Sequence, residues 1–541
     1  MKNENEQTYS NGIIEQIINY RFIVLGLSGI FFVGLLIRLY NIPFGIPLEL
    51  DATTYFVYAY KLSETFQFPY WSHFPNNGWP TFLSVFFMFF ESNNFMDYIL
   101  IQRIVGVILS TSTSIVVYFL CRRFFSKNVS LIGAAIFCFE PRVIFNSVLG
   151  ITEPLYILLI SLSILFTIAK NSRYVYFAFL VAGFATLVRY EGLLIIIPIS
   201  IVYFLHNKRG KRAIPKYLIL ISIFILVISP MMIIRNDTMG QDGIFSHYIG
   251  GSTFLSNRIL QGMPDDDGLY QGDPGKNNPT YFLNLALTNF VKFLGWTMIP
   301  IFILFIPISL MLLFKNKSWK NIDSKTLLII LSLIVLALPT LYGYGRGIME
   351  TRYLYVLFPL FCIISIYMVN EVFMRISRKK ILVCLTIAGL ITISTIFIDI
   401  EKENYEHAKE TFEISKIIVE KTEIINANPI DKSFLTVSGL MKIWPETPNI
   451  DDTGGLTTSI TKKSLSDFET IEDTIEANIL THIVLDDKNP KKFLNDIFHN
   501  EKKYEYLEKV YDSKLEGYNY HVKIFQIDYN KYYEIKEILN N

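Results

Sequence analysis

Acidic and arginine side chains stand beside the ends of long apolar segments in this chain of 541 residues. They fall in separate connections, namely Glu49 and Asp51, then Glu153, then Arg189 and Glu191, then Arg235, and finally Glu350 and Arg352. Ionisable groups at membrane depth are costly, so positions of this kind are considered functional first. A carboxylate can take the proton from an attacking hydroxyl group, and guanidinium groups can hold a leaving phosphate. The pattern therefore indicates group transfer from an anionic donor.

Other motifs that carry chemistry are scarce. The sequence has no GxxxxGK phosphate loop, no HExxH and no GxSxG nucleophile elbow. GYGRG at 343–347 follows an apolar segment and not a strand, so it is no dinucleotide fingerprint. MPDDDG at 263–268 could bind a metal ion, although acidic runs in long loops are usually only solvated. Asp51 and Glu153 could also share a divalent cation, which carboxylates alone do not require.

The elements that must position these residues are predicted to be membrane helices. The chain is 51% hydrophobic, and its apolar residues are collected into blocks near the roughly 20 residues that a spanning helix needs. We predict an all-α polytopic membrane protein with about eleven spans, at 22–40, 97–120, 129–147, 154–169, 173–188, 192–205, 217–234, 290–314, 326–342, 353–373 and 381–398. Lys and Arg (49) nearly balance Asp and Glu (48), so no nucleic-acid partner is expected.

Basic residues are concentrated in alternate connections, which predicts that those connections face the cytoplasm. The N-terminus (1–21) is then cytoplasmic, the transmembrane domain covers 22–398, and the outer loops are 41–96 and 235–289. The apolar block 79–90 is too short to span, because about twelve helical residues cover roughly 18 Å of a core of roughly 30 Å. We therefore predict an interfacial or re-entrant helix there, which keeps Asp51 outside.

The polar tail, 399–541, is predicted to be an extracytoplasmic α/β domain. It contains a helical stretch near 405–425 and three strand-like segments: SFLTVSG (433–439), THIVLDD (481–487) and YNYHVKIFQI (518–527).

In their order, spacing and sidedness, these segments resemble the glycosyltransferase C (GT-C) superfamily, in its branch of protein O-mannosyltransferases and aminoarabinose transferases. The resemblance covers about 22–367 and is carried by ELDATTY from Glu49, NNGWPTFL from Asn76, QRIVGVILSTSTSIVVYFLCRRFF from Gln102, ITEPLY from Ile151, LVRYEGLLIIIP from Leu187, SPMMIIRN from Ser229 and ETRYLYVLFP from Glu350.

The resemblance implies roles for individual residues. Asp51 would be the catalytic base, and Ala52 stands where the family usually has Glu, which leaves Glu49 as a substitute. Glu153 would be a second acidic site, and Arg189, Arg235 and Arg352 would bind the donor phosphate. Tyr55, Tyr190 and Tyr353 are candidate substrate contacts.

The resemblance also implies the reaction. The chain would be a multi-pass enzyme of the cell envelope, a hexosyl- or pentosyltransferase that takes sugar from a polyprenyl- or dolichyl-phosphate donor in the bilayer. Its acceptor would be a protein, a lipid or a glycan on the extracytoplasmic face.

Each assignment has an alternative. Asp51 could simply cap a helix, and Glu153 could complement a helix dipole. The arginines could snorkel to the membrane interface, and the tyrosines could be interfacial anchors. For the whole protein the alternative is a polytopic secondary transporter, which would favour charges near the midplane and repeated halves.

Overall fold

The computed structural model describes residues 2–49, 51–68, 77–207, 212–256, 279–316, 323–376, 378–401, 403–426, 432–444, 459–463, 475, 480–487 and 492–540. The MPDDDG motif and Asn76 lie outside these ranges. Within them the chain is mainly helical, with one five-stranded sheet near the C-terminus.

The chain divides into two compact units. The first consists of Met1–Ile42, His73–Leu83 and Arg103–Ile398. The second consists of Pro43–Ser72, Ser84–Gln102 and Asp399–Asn541.

The first half of the chain contains nine α-helices and a 3-10 helix at Tyr190–Ile195 within the described ranges. The α-helices are α1 (Lys2–Tyr40), α2 (Asp51–Thr65), α3 (Gly78–Phe87), α4 (Phe95–Cys121), α5 (Lys127–Cys138), α6 (Pro141–Ser147), α7 (Glu153–Thr167), α8 (Tyr174–Val188) and α9 (Ile196–His206).

Seven more α-helices complete the described helical part, with a 3-10 helix at Thr351–Leu357. They are α10 (Ala213–Met239), α11 (Phe245–Phe254), α12 (Pro279–Met298), α13 (Phe302–Asn316), α14 (Ser324–Gly345), α15 (Phe358–Met374) and α16 (Lys379–Glu401). In the first unit, α8 packs on α7 and α10, α12 packs on α14, and α15 packs on α5 and α13.

The apolar blocks all form helices, and the chain is a multi-pass membrane protein. Six described helical segments are long and apolar enough to span a membrane: Tyr20–Tyr40, α4, α10, α14, Thr351–Met374 and Lys379–Ile398. The bent pairs α5–α6 and α12–α13 raise this number to as many as eight. The remaining three predicted spans are the shorter apolar helices α7, α8 and Tyr190–His206.

The segment predicted as one span at 290–314 is not a straight helix. Here the chain bends by 109° between α12 and α13, with Pro300 between them, and proline has no N–H to continue a helix. Arg142 of α6 supports the bend, because its guanidinium donates to the carbonyls of Trp296 (2.9 Å) and Ile299 (3.2 Å).

The predicted outer loop 235–289 also contains helices. α10 continues to Met239, α11 follows, and α12 begins at Pro279. The block at 79–90 forms the ten-residue α3, which is about 15 Å long and too short to span, as predicted. Its location at the membrane interface stays a prediction.

The C-terminal part of the second unit is an α/β domain, as predicted. Its described elements are α17 (Glu403–Lys421), β1 (Ile424–Asn426), α18 (Lys432–Ile443), β2 (Thr461–Lys463), β3 (His482–Asp486), α19 (Lys492–His499), β4 (Leu507–Asp512), β5 (Val522–Ile527) and α20 (Tyr529–Asn540). The strand order is β2-β1-β3-β5-β4, with β1 parallel to β2 and β3, and β5 antiparallel to β3 and β4. Apolar residues cover both faces of the sheet.

The predicted strand SFLTVSG is wrong, because this segment lies in α18. Phe434 and Ser438 fall on successive helical turns, and both contact α17. The ring of Phe434 lies 6.1 Å from that of Phe412, and the hydroxyl oxygens of Ser438 and Ser415 are 2.7 Å apart. Packing on α17 therefore stabilises a helix over a segment whose β-branched and aromatic residues resemble those of a strand.

Candidate active site

Arg189 holds two carboxylates together in the first unit. Its Nη1 lies 2.8 Å from Glu153 Oε1, and its Nη2 lies 3.0 Å from Glu191 Oε1. The three side chains are 11%, 4% and 13% exposed, respectively. The guanidinium carbon also lies 5.2 Å from the ring centre of Tyr353. One cation thus sits between two largely buried anions, beside an aromatic ring.

The backbone around Arg189 explains its placement. α8 ends at Val188, and Arg189 is extended (φ −146°, ψ 126°) before the 3-10 helix begins. Gly192 lets that 3-10 helix pack directly on α8, because an added Cβ would lie 2.7 Å from backbone atoms of Ala185 and Thr186. The tight turn keeps Glu191 close enough to pair with Arg189.

The Asn77–Gly78–Trp79 segment contacts three different regions of the first unit. Asn77 Oδ1 accepts a hydrogen bond from Arg235 Nη1 at 2.9 Å. Gly78 contacts the backbone at 187–188, where a Cβ would lie 2.6 Å from two backbone atoms. Trp79 is fully buried, and its Nε1 donates to the carbonyl of Gly150 at 3.1 Å. The segment therefore contacts three separate parts of the chain: the residues just before Glu153, the residues just before Arg189, and Arg235 itself.

Arg235 is also held by a glycine in the left-handed conformation. Gly243 has φ +79°, and a Cβ there would collide with the Arg235 guanidinium. Asp242 precedes it and accepts hydrogen bonds from the backbone N–H groups of Ile244 and Phe245 at 2.7 and 2.6 Å. The Asp242 carboxylate thus stabilises the start of α11, and α11 forms a wall beside Arg235.

We refer to Arg189, Glu153 and Glu191 as the Arg189 cluster. A cavity of about 1130 Å³ opens beside this cluster within the first unit. Its lining includes Tyr190, His247, Phe254, Tyr342 and Arg346. The guanidinium carbon of Arg346 lies 4.9 Å from the ring centre of Phe254 and 5.7 Å from that of Tyr342. The cavity therefore combines a cationic group with several aromatic faces, a lining that suits a sugar phosphate.

Tyr190 links the Arg189 cluster to the cavity. It follows Arg189 in the chain, its ring lies 4.6 Å from that of His247, and its carbonyl accepts a hydrogen bond from Tyr248 at 3.1 Å. Burial lowers the pKa of His247, and the nearby Glu191 carboxylate opposes this change. The neutral imidazole is thereby favoured at neutral pH.

The side chain of Arg352 is more exposed to solvent than that of Arg189. Its Nε is 3.5 Å from Glu350 Oε2, and its guanidinium carbon is 5.8 Å from the Tyr353 ring centre. The Arg352 side chain is 22% exposed and that of Glu350 is 51% exposed. Of the sequence-predicted residues, the structure thus brings Glu153, Arg189, Arg352 and Tyr353 together.

Three predicted residues, Glu49, Asp51 and Tyr55, belong to the second unit, whereas Arg235 and Tyr190 lie in the first. Asp51 is the first residue of α2 and is partly buried, Glu49 is exposed, and Tyr55 is buried. The start of α2 is fixed by a fully buried amide, since Gln102 Nε2 donates to the carbonyl of Ala52 at 3.1 Å. The catalytic role of Asp51 stays a prediction.

Arg346, His247 and Asn77 are site residues that the sequence alone did not reveal. Arg346 lies within GYGRG, which was considered only as a nucleotide motif, while Asn77 lay within the matched NNGWPTFL segment. In the part of the chain that the structure describes, no group of three or more His, Cys, Asp and Glu side chains could hold a metal ion. A cation shared by Asp51 and Glu153 stays a prediction, and Glu153 has Arg189 as its cationic partner.

Comparisons with known proteins point to one type of fold. A sequence-family model described as dolichyl-phosphate-mannose-protein mannosyltransferase matches residues 80–234. A comparison with curated protein sequences gives no match.

Among solved structures, the chain is similar to the oligosaccharyltransferase of Archaeoglobus fulgidus crystallised with zinc and sulfate. The TM-score is 0.53 at 11% identity, over 91% of this chain and 72% of that one. It is also similar to AglB from the same organism in complex with an inhibitory peptide and a dolichol-phosphate, with a TM-score of 0.51 at 10% identity over 91% and 74% of the two chains. For ArnT from Cupriavidus metallidurans bound to undecaprenyl phosphate, the TM-score is 0.50 at 10% identity over 94% and 97%. At these identities the likeness establishes the fold.

Proposed function

We propose that this chain, which has the fold of the glycosyltransferase C superfamily, is a membrane glycosyltransferase that takes its sugar from a polyprenyl- or dolichyl-phosphate donor. The observation that carries the proposal is the cavity beside the Arg189 cluster, which combines Arg346 with aromatic walls. The AglB and ArnT structures contain dolichol-phosphate and undecaprenyl phosphate, which supports a lipid phosphate as the carrier.

In the proposed reaction a hydroxyl oxygen of the acceptor forms a bond to the anomeric carbon of the sugar. The bond from that carbon to the phosphate oxygen breaks, and the lipid phosphate leaves with the electron pair. Asp51 accepts the hydroxyl proton, with Glu49 as the alternative base. The acceptor is a protein, a lipid or a glycan.

We assign the arginines different roles in this reaction. Arg346 and Arg352 hold the leaving phosphate, where guanidinium groups favour the developing charge. Arg189 binds two carboxylates and Arg235 binds Asn77, so we assign these two residues chiefly to positioning. Tyr190 and Tyr353 lie beside the Arg189 cluster, and we assign them to contacts with the sugar of the donor.

The test is turnover of a polyprenyl-phosphate sugar by the purified full-length protein in detergent. Asp51→Asn should lower turnover by about 10²- to 10⁴-fold, since it removes the base. Assembly should be retained, because Asn caps a helix about as well as Asp. Glu64→Gln is the matched control, an exposed carboxylate on the same helix, and should leave turnover unchanged.

Each other outcome has a definite meaning. If Glu49→Gln abolishes turnover and Asp51→Asn does not, the base is Glu49. If neither change slows transfer, neither Asp51 nor Glu49 is the base, and this part of the mechanism is wrong. Activity with a nucleotide sugar and none with the lipid donor would reject the donor assignment. A transporter would consume no donor in detergent, where no gradient exists.

The proposal places the N-terminus in the cytoplasm and the C-terminal domain outside. Cys384 is the one exposed native cysteine, so the labelling experiment starts from Cys384→Ser. Leu515→Cys, at a residue 82% exposed, should react with an impermeant reagent in intact cells. Arg212→Cys should react only after permeabilisation. The reverse pattern would overturn the topology.

A further inference from the structure

An aromatic cluster in the second unit joins the C-terminal domain to α2. Trp444 follows α18, and its ring centre lies 4.3 Å from that of Tyr60 and 6.0 Å from that of Phe56, both on α2. The rings of Phe95 and Tyr98, at the start of α4, lie 5.2 and 5.8 Å from Trp444. The pairs with Tyr60 and Phe56 are tilted and those with Phe95 and Tyr98 are edge-to-face, at separations close to those of favourable aromatic pairs.

The contact falls on one face of α2. Phe56 and Tyr60 are four residues apart, so their side chains lie one above the other on the helix. Their rings are parallel within 8° and 6.3 Å apart. Ala52, four residues before Phe56, is the residue whose carbonyl accepts the Gln102 hydrogen bond. The helix is thus held at its start by Gln102 and along the same stripe by Trp444.

We propose that Trp444 is a positioning residue, through which the C-terminal domain fixes α2 and so the carboxylate of Asp51 at its first residue. The inference rests on the proposed function of Asp51 as the base. It assigns the C-terminal domain a part in catalysis that involves no contact between that domain and the substrate.

The interaction depends on ring packing. Phe56, Phe95, Tyr98 and Tyr60 are at most 6% exposed, so the cluster excludes water. Burial raises the pKa of Tyr60 to about 12, in keeping with the low exposure of the cluster. The buried Nε1 of Trp444 has no hydrogen-bond partner among the residues that the structure describes. A phenyl ring should therefore replace the indole, whereas a methyl group should not.

The experiment compares Trp444→Ala, Trp444→Phe and Tyr533→Ala in the full-length protein. Tyr533 is a half-exposed aromatic residue of the same domain and serves as the matched control. Trp444→Ala should lower kcat by about 10- to 10²-fold, since small displacements of a catalytic group have effects of this size. The KM for the lipid-linked donor should stay within about twofold, and Trp444→Phe should recover most of kcat.

A double-mutant cycle with Asp51→Asn separates positioning from general damage. If Trp444 acts through Asp51, adding Trp444→Ala to Asp51→Asn should cause no further loss. Losses that multiply, a donor KM that rises with kcat unchanged, or a Tyr533→Ala effect equal to that of Trp444→Ala would each overturn the inference. If Trp444→Ala does not assemble, Trp444→Leu is judged by the same cycle. Full turnover by Asp51→Asn alone would reject the proposed function itself, which is a distinguishable failure.

Discussion

Each of the two units contains a network of ion pairs, and the two networks differ in balance and burial. In the first unit Arg189 pairs with both Glu153 and Glu191, and all three side chains are largely buried. In the second unit Lys509 contacts Glu501 (3.0 Å) and Asp512 (3.3 Å) at the edge of the sheet. Lys523 adds a 2.6 Å contact to Glu501, and His521 lies 3.0 Å from Asp512.

The difference separates a network suited to chemistry from one that serves the fold. Around Lys509 two ammonium groups meet two carboxylates, and Lys509 and Glu501 are about one third exposed. Exposed pairs of this kind contribute about 0–1 kcal/mol. Around Arg189 two buried carboxylates share one guanidinium, and loss of that cation would leave buried charges uncompensated, at about 3–5 kcal/mol.

The largest expected difference between the two networks is the loss of stability when the central cation of each is replaced by alanine. Arg189→Ala should destabilise the protein by about 3–5 kcal/mol, because it leaves two buried carboxylates facing each other. Lys509→Ala should cost about 0–1 kcal/mol. The measurement is denaturant unfolding of the detergent-solubilised protein, read separately for each unit. Equal losses for the two variants would contradict the comparison.

A smaller effect on stability should follow when the positive charge is kept but the guanidinium group is replaced by an ammonium group. Arg189→Lys retains a cation, but a single ammonium group cannot reproduce the planar fork that reaches both Glu153 and Glu191. We expect most of the stability to return while turnover stays well below that of the unchanged protein. The matched change Lys509→Arg should alter neither property. Full turnover by Arg189→Lys would show that charge alone suffices.

The smallest effect should be a pH dependence confined to the second network. Burial would raise the pKa of Asp512, but Lys509 and His521 more than offset this and hold it below its ordinary value. Because the folded pKa is depressed, its contribution to stability is present above the unfolded value of about 3.9 and is lost as the pH falls through the folded pKa. After correction for the intrinsic pH dependence of amide exchange, the protection of β4 and β5 should therefore fall below about pH 4, and Asp512→Asn should weaken that dependence. An unchanged profile in Asp512→Asn would assign the acid sensitivity to other groups.

The sequence predicts the helices well, because a membrane helix is specified by a local apolar block. It also predicts β3, from the strand-like segment THIVLDD, and β5, from the alternation in YNYHVKIFQI. It predicts α18 wrongly, since packing on α17 decides that segment. It also misses the bend at Pro300, where the carbonyls are satisfied by Arg142 from a distant helix.

Only part of the candidate site is visible in the sequence. Glu153 and Arg189 stand out because each is an isolated charge beside an apolar block. The cavity could not be predicted, because its wall is α11, a polar, glycine-containing segment that looks like a loop. Arg346 becomes a candidate only when α11 places Phe254 against it.

The Asn77–Gly78–Trp79 segment has a consequence for biosynthesis. Its partners are distant in the chain: Gly150 is 71 residues after Trp79, and Arg235 is 158 residues after Asn77. As the ribosome extends the polypeptide, α3 is made long before the helices that bury Trp79 and bind Asn77. Loop closure over such separations is slow. The contacts of Asn77 and Trp79 can therefore be completed only after α10 has been made, so this part of the site forms late in synthesis.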